Sequence, residues 1–298
     1  IVLRGNIKNV EGISMPNPAA ASLELIPNAH LDGERPVGFA IEFTEGGMCI
    51  RYELSIGLGT FMEAGARRKI EREALYVNGS LIFERTDGLR MEDLKPIEEY
   101  GGMKNAIRIG DLIDIASLSL NPEELFLTNG FKLIFSADFV KLITDWFTNQ
   151  FMVICRADSM QLINRFSDSQ KAAVYVEKTM NDAARVFGIN SKEVGYVVTE
   201  GEAESKLCSV FRNLKGEKSI AIAADIFESY GTIRFITIFP LVIKAILTGG
   251  VLAIDEFDAS IHPMALMSII NVFHNDEINL KHSQLIFNTH NPIFLNSN

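Results

Sequence analysis

Cysteine is scarce in this chain of 298 residues: Cys49, Cys155 and Cys208 are scattered and odd in number. Their separations match no metal-ligand spacing and no disulfide framework, so they read as small buried hydrophobes in a reducing compartment. Long hydrophobic runs are also missing. The nearest, Phe235 to Ile254, is broken by Pro240, Lys244 and Gly249-Gly250; it reads as a buried helix, a turn and a buried strand, short of the ~18 unbroken apolar residues of a membrane span. No signal peptide is visible, and the expected location is the cytoplasm, without a membrane partner. Positive charge is in the minority, with 28 Lys and Arg against 38 Asp and Glu and a net charge of −10. A broad basic face for nucleic acid is not advertised; the densest basic cluster is "ARRKIER", Ala66 to Arg72. The chain opens on Ile1 and closes in "NPIFLNSN", and is expected to be a piece of a longer protein.

What is present is apolar substance: 47% of residues are hydrophobic and 22% charged, enough for one large or two ordinary domains. Three regions separate by pattern, and the expected division is 1–90, 91–217 and 218–298. In the first, "VGFAIEFTEGGMCIRYELSI" is two alternating runs joined at Glu45-Gly46-Gly47, and "EALYVNGSLIFER" carries Asn78-Gly79 between two strands. An antiparallel meander is predicted over 37–86. The second region reads mainly as helices. "SADFVKLITDWFTNQF" (Ser136 to Phe151) puts Phe139, Leu142, Ile143, Trp146 and Phe147 on one face after a Ser/Asp start. "SDSQKAAVYVEKTMNDAARVFG" (Ser167 to Gly188) reads as a helix ended by Gly188. In the third, "SIAIAADI" leads into an apolar helix, then the strand "GVLAI", the helix "PMALMSIINVFHN" and the strand "SQLIFN". Strand, helix, strand with near-continuous apolar strands predicts a parallel sheet covered on both faces.

The chemistry gathers where the third region's strands end. "VLAIDEFD" runs four apolar residues into Asp255 and Glu256, and ligands of α/β sheets collect beyond the carboxyl ends of the strands. In nucleotide hydrolases of the P-loop class, one carboxylate at such a strand end orders the Mg²⁺ shell and the next takes the proton of the attacking water. The competing reading is a carboxylate pair that merely caps the next helix. "NTHNP" (Asn288 to Pro292) ends the next strand and brings Thr289 and His290 alongside, His290 being a candidate phosphate contact. "ESYGT" (Glu228 to Thr232) opens a helix with Ser229, Gly231 and Thr232, either an anion site of backbone N–H groups and hydroxyls or an ordinary N-cap.

The order of these motifs resembles the distal half of an ABC-type ATPase head, the group that includes SMC, DNA-repair and OLD-type ATPases, and within it the AAA/ABC hybrids of bacterial phage defence. "ESYGT" is similar to the signature motif, "VLAIDEFD" to Walker B, "DASIH" (Asp258 to His262) to the D-loop, and His290 to the switch histidine. "YELSI", "IFER" and "LNPEELFLTNG" share the character of the defence group. The likeness has gaps: Tyr230 replaces the signature's first Gly, Thr232 ends it, and His262 stands where transporters and SMC proteins have Asp. No Gln is placed as a Q-loop. No G-x-x-x-x-G-K-[S/T] occurs between Ile1 and Asn298, so the Walker A loop is expected N-terminal to Ile1.

The resemblance implies an α/β, P-loop NTPase-like fold with a parallel catalytic sheet, an antiparallel β lobe and a helical lobe. It implies an ATPase using ATP and Mg²⁺ that dimerises around nucleotide. Asp255 would hold the metal, Glu256 and His290 would act on the chain's own nucleotide, and Ser229, Gly231 and Thr232 would meet the partner's. Asp258 and His262, in the D-loop-like stretch, would count among the nucleotide-binding residues. A nuclease or toxin effector is an implied partner; a DNA-clamping head is a third reading, with "ARRKIER" as its candidate contact against the plainer reading of a solvated surface. The alternative is a degenerate, ATPase-like scaffold or switch that regulates a nuclease or toxin with little turnover.

Overall fold

The computed structural model describes residues 36–57, 69–102, 109–118, 120–154, 173–176, 181–182, 185, 193–198, 206–212, 219–259 and 261–295. The chain forms two compact units, Ile1–Thr148 and Asn149–Asn298. Cys155, the helix end expected at Gly188 and the first three residues of "ARRKIER" lie outside the described residues.

In the first unit β1 (Val37–Glu45), β2 (Met48–Gly57), β3 (Lys69–Val77), β4 (Ser80–Arg85) and β5 (Leu89–Arg90) form one antiparallel meander in sequence order. Its two tight turns are where the sequence placed them. Gly46 and Gly47 have φ of 57° and 76°, Asn78 and Gly79 of 50° and 82°; consecutive left-handed residues make the hairpin turn whose twist matches the strands. Alternation divides the faces. Ile50, Tyr52, Leu54 and Ile56 of β2 are buried, while Arg51 and Glu53 join a charged ladder on the other face. Arg72 lies 2.6 Å from both Glu53 and Glu84, and Arg90 pairs with Glu84 in turn. The described part of the basic cluster therefore has its arginine already committed to two carboxylates.

Against the buried face pack α1 (Ile109–Leu118), α2 (Phe131–Ile134) and α3 (Ala137–Asp145) with the segment before α2. Ser136 caps α3, its Oγ accepting from Phe139 N. The helix expected to run to Phe151 instead ends at Asp145, passes through a π turn over Trp146–Gln150, and gives way to a strand. Phe139, Ile143, Trp146 and Phe147 are buried as the periodicity required, and Trp146 stacks on Phe43 with ring centroids 3.7 Å apart. Glu73 is completely buried and accepts from Tyr52 Oη, Phe126 N and Leu127 N at 2.7–2.9 Å, with Arg85 Nη1 3.6 Å away. Arg85 in turn donates to the carbonyls of Asn121 and Glu124. One buried ion pair thus ties "LNPEELFL" to the sheet.

The second unit holds two sheets. Among the described residues of 91–217 the helices are joined, after Gln150, by strands: β7 (Ala173–Val176), β8 (Glu193–Val198) and β9 (Lys206–Arg212) form an antiparallel sheet with β10 (Ser219–Ala223), in the order β10-β9-β8-β7. "AVYV", placed in a helix by its surroundings, is strand β7; its β-branched and aromatic residues suit an extended backbone. "SIAIA" is β10, hydrogen-bonded to β9 and not to the parallel sheet. The third strand of that sheet is β6 (Phe151–Ile154), pairing with β11 (Val251–Ile254), which pairs with β12 (Gln284–Phe287). Both ladders are parallel, in the order β12-β11-β6.

Between the strands run α4 (Ala224–Phe227), α5 (Tyr230–Thr248) and α6 (Pro263–His274). Phe235, Ile238, Val242 and Ala245 of α5 join Leu266, Ile269 and Ile270 of α6 around Ile154, Leu252 and Ile254 in one apolar cluster. Helix α5 has the length and apolarity of a membrane span, yet this face is built into the core of the unit. Val153 and Ile286 remain more than half exposed, so among the described residues the sheet is not covered on both faces as expected. Helix α5 ends at Gly249 with φ 75°, and a Cβ on Gly250 would meet the Gln150 carbonyl at 2.5 Å. Only Gly-Gly lets the chain turn this closely past the start of β6.

Candidate functional site

Asp255 and Asn288 each follow the last residue of a parallel strand. Asp255 N donates to Ile154 O, and Asn288 N to Ile254 O, so the ladders carry one step beyond the strand ends. The chain then turns. Phe257, fully buried, anchors the turn in the core beside Phe287, with ring centroids 5.1 Å apart. An apolar residue three positions past the strand thereby leaves Asp255 and Glu256 exposed at its tip.

Asn288 organises the two carboxylate residues. Its Nδ2 donates to Asp255 Oδ1 at 2.5 Å, its Oδ1 accepts from Glu256 N, and its own carbonyl accepts from Phe257 N. One side chain therefore fixes the orientation of the first carboxylate and the backbone of the second. Glu256 has φ 49°, a left-handed conformation that costs an ordinary residue roughly 1–2 kcal/mol. Among the described residues the Glu256 carboxylate has no protein partner, and it is exposed to solvent. Arg234, on α5, reaches the same turn from behind: its Nη2 donates to Glu256 O at 2.5 Å and lies 3.5 Å from Asp255 O.

The neighbouring motifs divide. Asp258 Oδ1 accepts from His290 N at 3.4 Å, which brings the tip after β12 to the turn after β11. Thr289 Oγ1 accepts from Asn291 N and so shapes its own turn. Asp255, Glu256, Asp258 and His290 thus belong to one constellation. Ser229, Gly231 and Thr232 stand apart at the start of α5. Ser229 is the N-cap: its Oγ accepts from Thr232 N at 3.1 Å and lies 2.7 Å from Thr232 Oγ1. His262 is likewise the N-cap of α6, Nδ1 accepting from Met264 N. It makes no described contact with the carboxylate turn.

Among the described residues no three His, Cys, Asp or Glu side chains form a metal cage. A Mg²⁺ that keeps most of its shell as water and substrate phosphate needs only one or two carboxylates, and Asp255 fits it: the residue is exposed and one of its oxygens is held by Asn288. Two residues of this site went unread in the sequence. Asn288 stood one position before the pair that drew notice in "NTHNP", and Arg234 is an isolated charge on the buried stripe of α5, a signal that was there to see.

A search of curated proteins finds no match. A family model described as "AAA domain, putative AbiEii toxin, Type IV TA system" matches residues 121–296, over half of the chain and all of the constellation just described. The chain belongs to this AAA-domain family, a group of ATPases with the P-loop NTPase α/β fold.

Proposed function

We propose that the chain is the distal part of an ABC-type ATPase head that hydrolyses ATP between two copies of itself, in bacterial anti-phage defence or DNA maintenance. The observation that carries this reading is the Asp255–Asn288–Glu256 arrangement: adjacent exposed carboxylates at the end of the parallel strand β11, one clamped and the other without a partner among the described residues. Asp255 is suited to hold the Mg²⁺ of Mg-ATP, whose chemistry there is to neutralise phosphate charge. Glu256, with no protein donor on its carboxylate, is suited to accept the proton of an attacking water. His290, tied to Asp258 through its backbone, is placed to contact phosphate. Ser229, Gly231 and Thr232 present a capped helix start to the partner's nucleotide. A nuclease or toxin partner and action in the cytoplasm belong to the same proposal.

The test uses the full-length protein. Glu256→Gln keeps the length of the side chain and the metal ligand beside it but cannot take a proton. It is expected to bind Mg-ATP and to elute as a dimer in its presence, with hydrolysis lost. Turnover at the wild-type rate would remove Glu256 as the base and the reading with it. Adding Ser229→Arg subunits should break the trapped dimer while each monomer still binds nucleotide.

A further inference from the structure

We infer that Arg234 is a positioning residue for Glu256, linking the signature end of α5 to the turn that aims the base. The inference rests on the ATPase reading above and deepens it. Arg234 is 3% exposed, a burial that a guanidinium rarely has without an ion pair. Its described contacts are two backbone carbonyls, Glu256 O and Asp255 O. Among the described residues its Nε and Nη1 are buried without a partner. Packing alone does not explain such a residue, because an apolar side chain would fill the same place in the cluster of Phe235 and Ile238 at no desolvation cost.

What the guanidinium does is hold a strained turn. Glu256 sits at φ 49°, and its peptide is pinned on both sides, the N–H by Asn288 and the carbonyl by Arg234. Asn288 belongs to the tip of β12, whereas Arg234 lies on the second turn of the helix that Ser229 caps. A shift or rotation of α5 moves Arg234 directly, and with it one of the two fixed points of the base. Engagement of Ser229 by a partner's nucleotide would therefore be felt at Glu256 through one side chain and one helix turn. Arg234 touches no reacting atom in this scheme; it acts through the backbone of Glu256.

The experiment is a double-mutant cycle in the full-length protein, with Arg234→Met, Glu256→Gln and the pair. Wild type and Glu256→Gln are measured first, because a wild type without hydrolysis refutes the ATPase reading whatever Arg234 does. Given hydrolysis, Arg234→Met is expected to lower kcat at least about tenfold, with KM for ATP within about threefold. In the Glu256→Gln background it should lower the residual rate no further, since its effect runs through that residue. A wild-type kcat in Arg234→Met, or an equal further loss in the Glu256→Gln background, overturns the inference. If Arg234→Met does not fold, the same cycle is run with Arg234→Lys, which keeps the charge but not the two-carbonyl fork, and the same two outcomes decide.

Discussion

Replacing Glu73 by Gln removes one charge from a completely buried carboxylate and leaves its shape. Oε1 accepts from Tyr52 Oη and Leu127 N, Oε2 from Phe126 N, and Arg85 Nη1 stands 3.6 Å from Oε2. Burial pushes the Glu73 carboxyl above its ordinary range, while the donors from Leu127, Phe126 and Tyr52 and the nearby Arg85 pull it back. A glutamine can keep the carbonyl at the Oε1 position, and its NH₂ then faces the Phe126 N–H and Arg85, donor against donor. Breaking a buried pair from one side costs about 3–5 kcal/mol, most of it the charge left behind. With a urea slope near 2 kcal/mol/M, the unfolding midpoint of the first unit should fall by about 1.5–2.5 M. Trp146 is the one tryptophan in the chain and is stacked on Phe43 inside that unit, so its fluorescence reports this transition. Arg85→Met should also destabilise, and the double variant should lose less than the sum of the two, because neither partner is then left charged. A midpoint shift below about 0.5 M, or strict additivity, would refute the account of Glu73 and Arg85 as one unit.

Two further outcomes follow from the same geometry. Asn288→Ala should lower the ATPase kcat of the full-length protein about tenfold, the worth of one charge-assisted hydrogen bond to Asp255, while Asn288 is exposed and thermal unfolding should barely move; an unchanged kcat refutes the bridging role. Hydrogen bonds from Arg72 hold Glu53 and Glu84 below the ordinary carboxylate value of 4.5. The stability these groups contribute is present above that value and is lost as pH falls through the depressed ones; Arg72→Gln should flatten this acid limb in a Trp146-monitored titration, and an unchanged limb refutes the ladder's part in it.

What could be read from the sequence was what neighbouring residues decide. Gly46-Gly47 and Asn78-Gly79 specify their turns by backbone conformation alone, and Ser136 and Ser229 announce their helices by capping. "VLAIDEFD" showed both the strand and the exposed pair, because Phe257 behind the pair has to be buried. Pairing across the chain was not legible in this way. Phe151–Ile154 is short enough to pass for the end of the preceding helix, and its status as a strand comes from lying beside Val251–Ile254, 100 positions on. "AVYV" and "SIAIA" likewise take their partners from β8 and β9, which no local pattern names. At the site, the sequence offered the groups that do chemistry and passed over Asn288 and Arg234, whose roles exist only through contacts with the backbone of other elements.

The left-handed conformation of Glu256 bears on how such a site would decay. Glycine adopts that backbone freely and asparagine readily, whereas glutamate holds it under strain. A lineage released from hydrolysis, keeping the head only as a scaffold, would gain stability from the first drift of position 256 to glycine, a change one nucleotide away. The turn is thus a place where selection for folding and selection for turnover point in opposite directions.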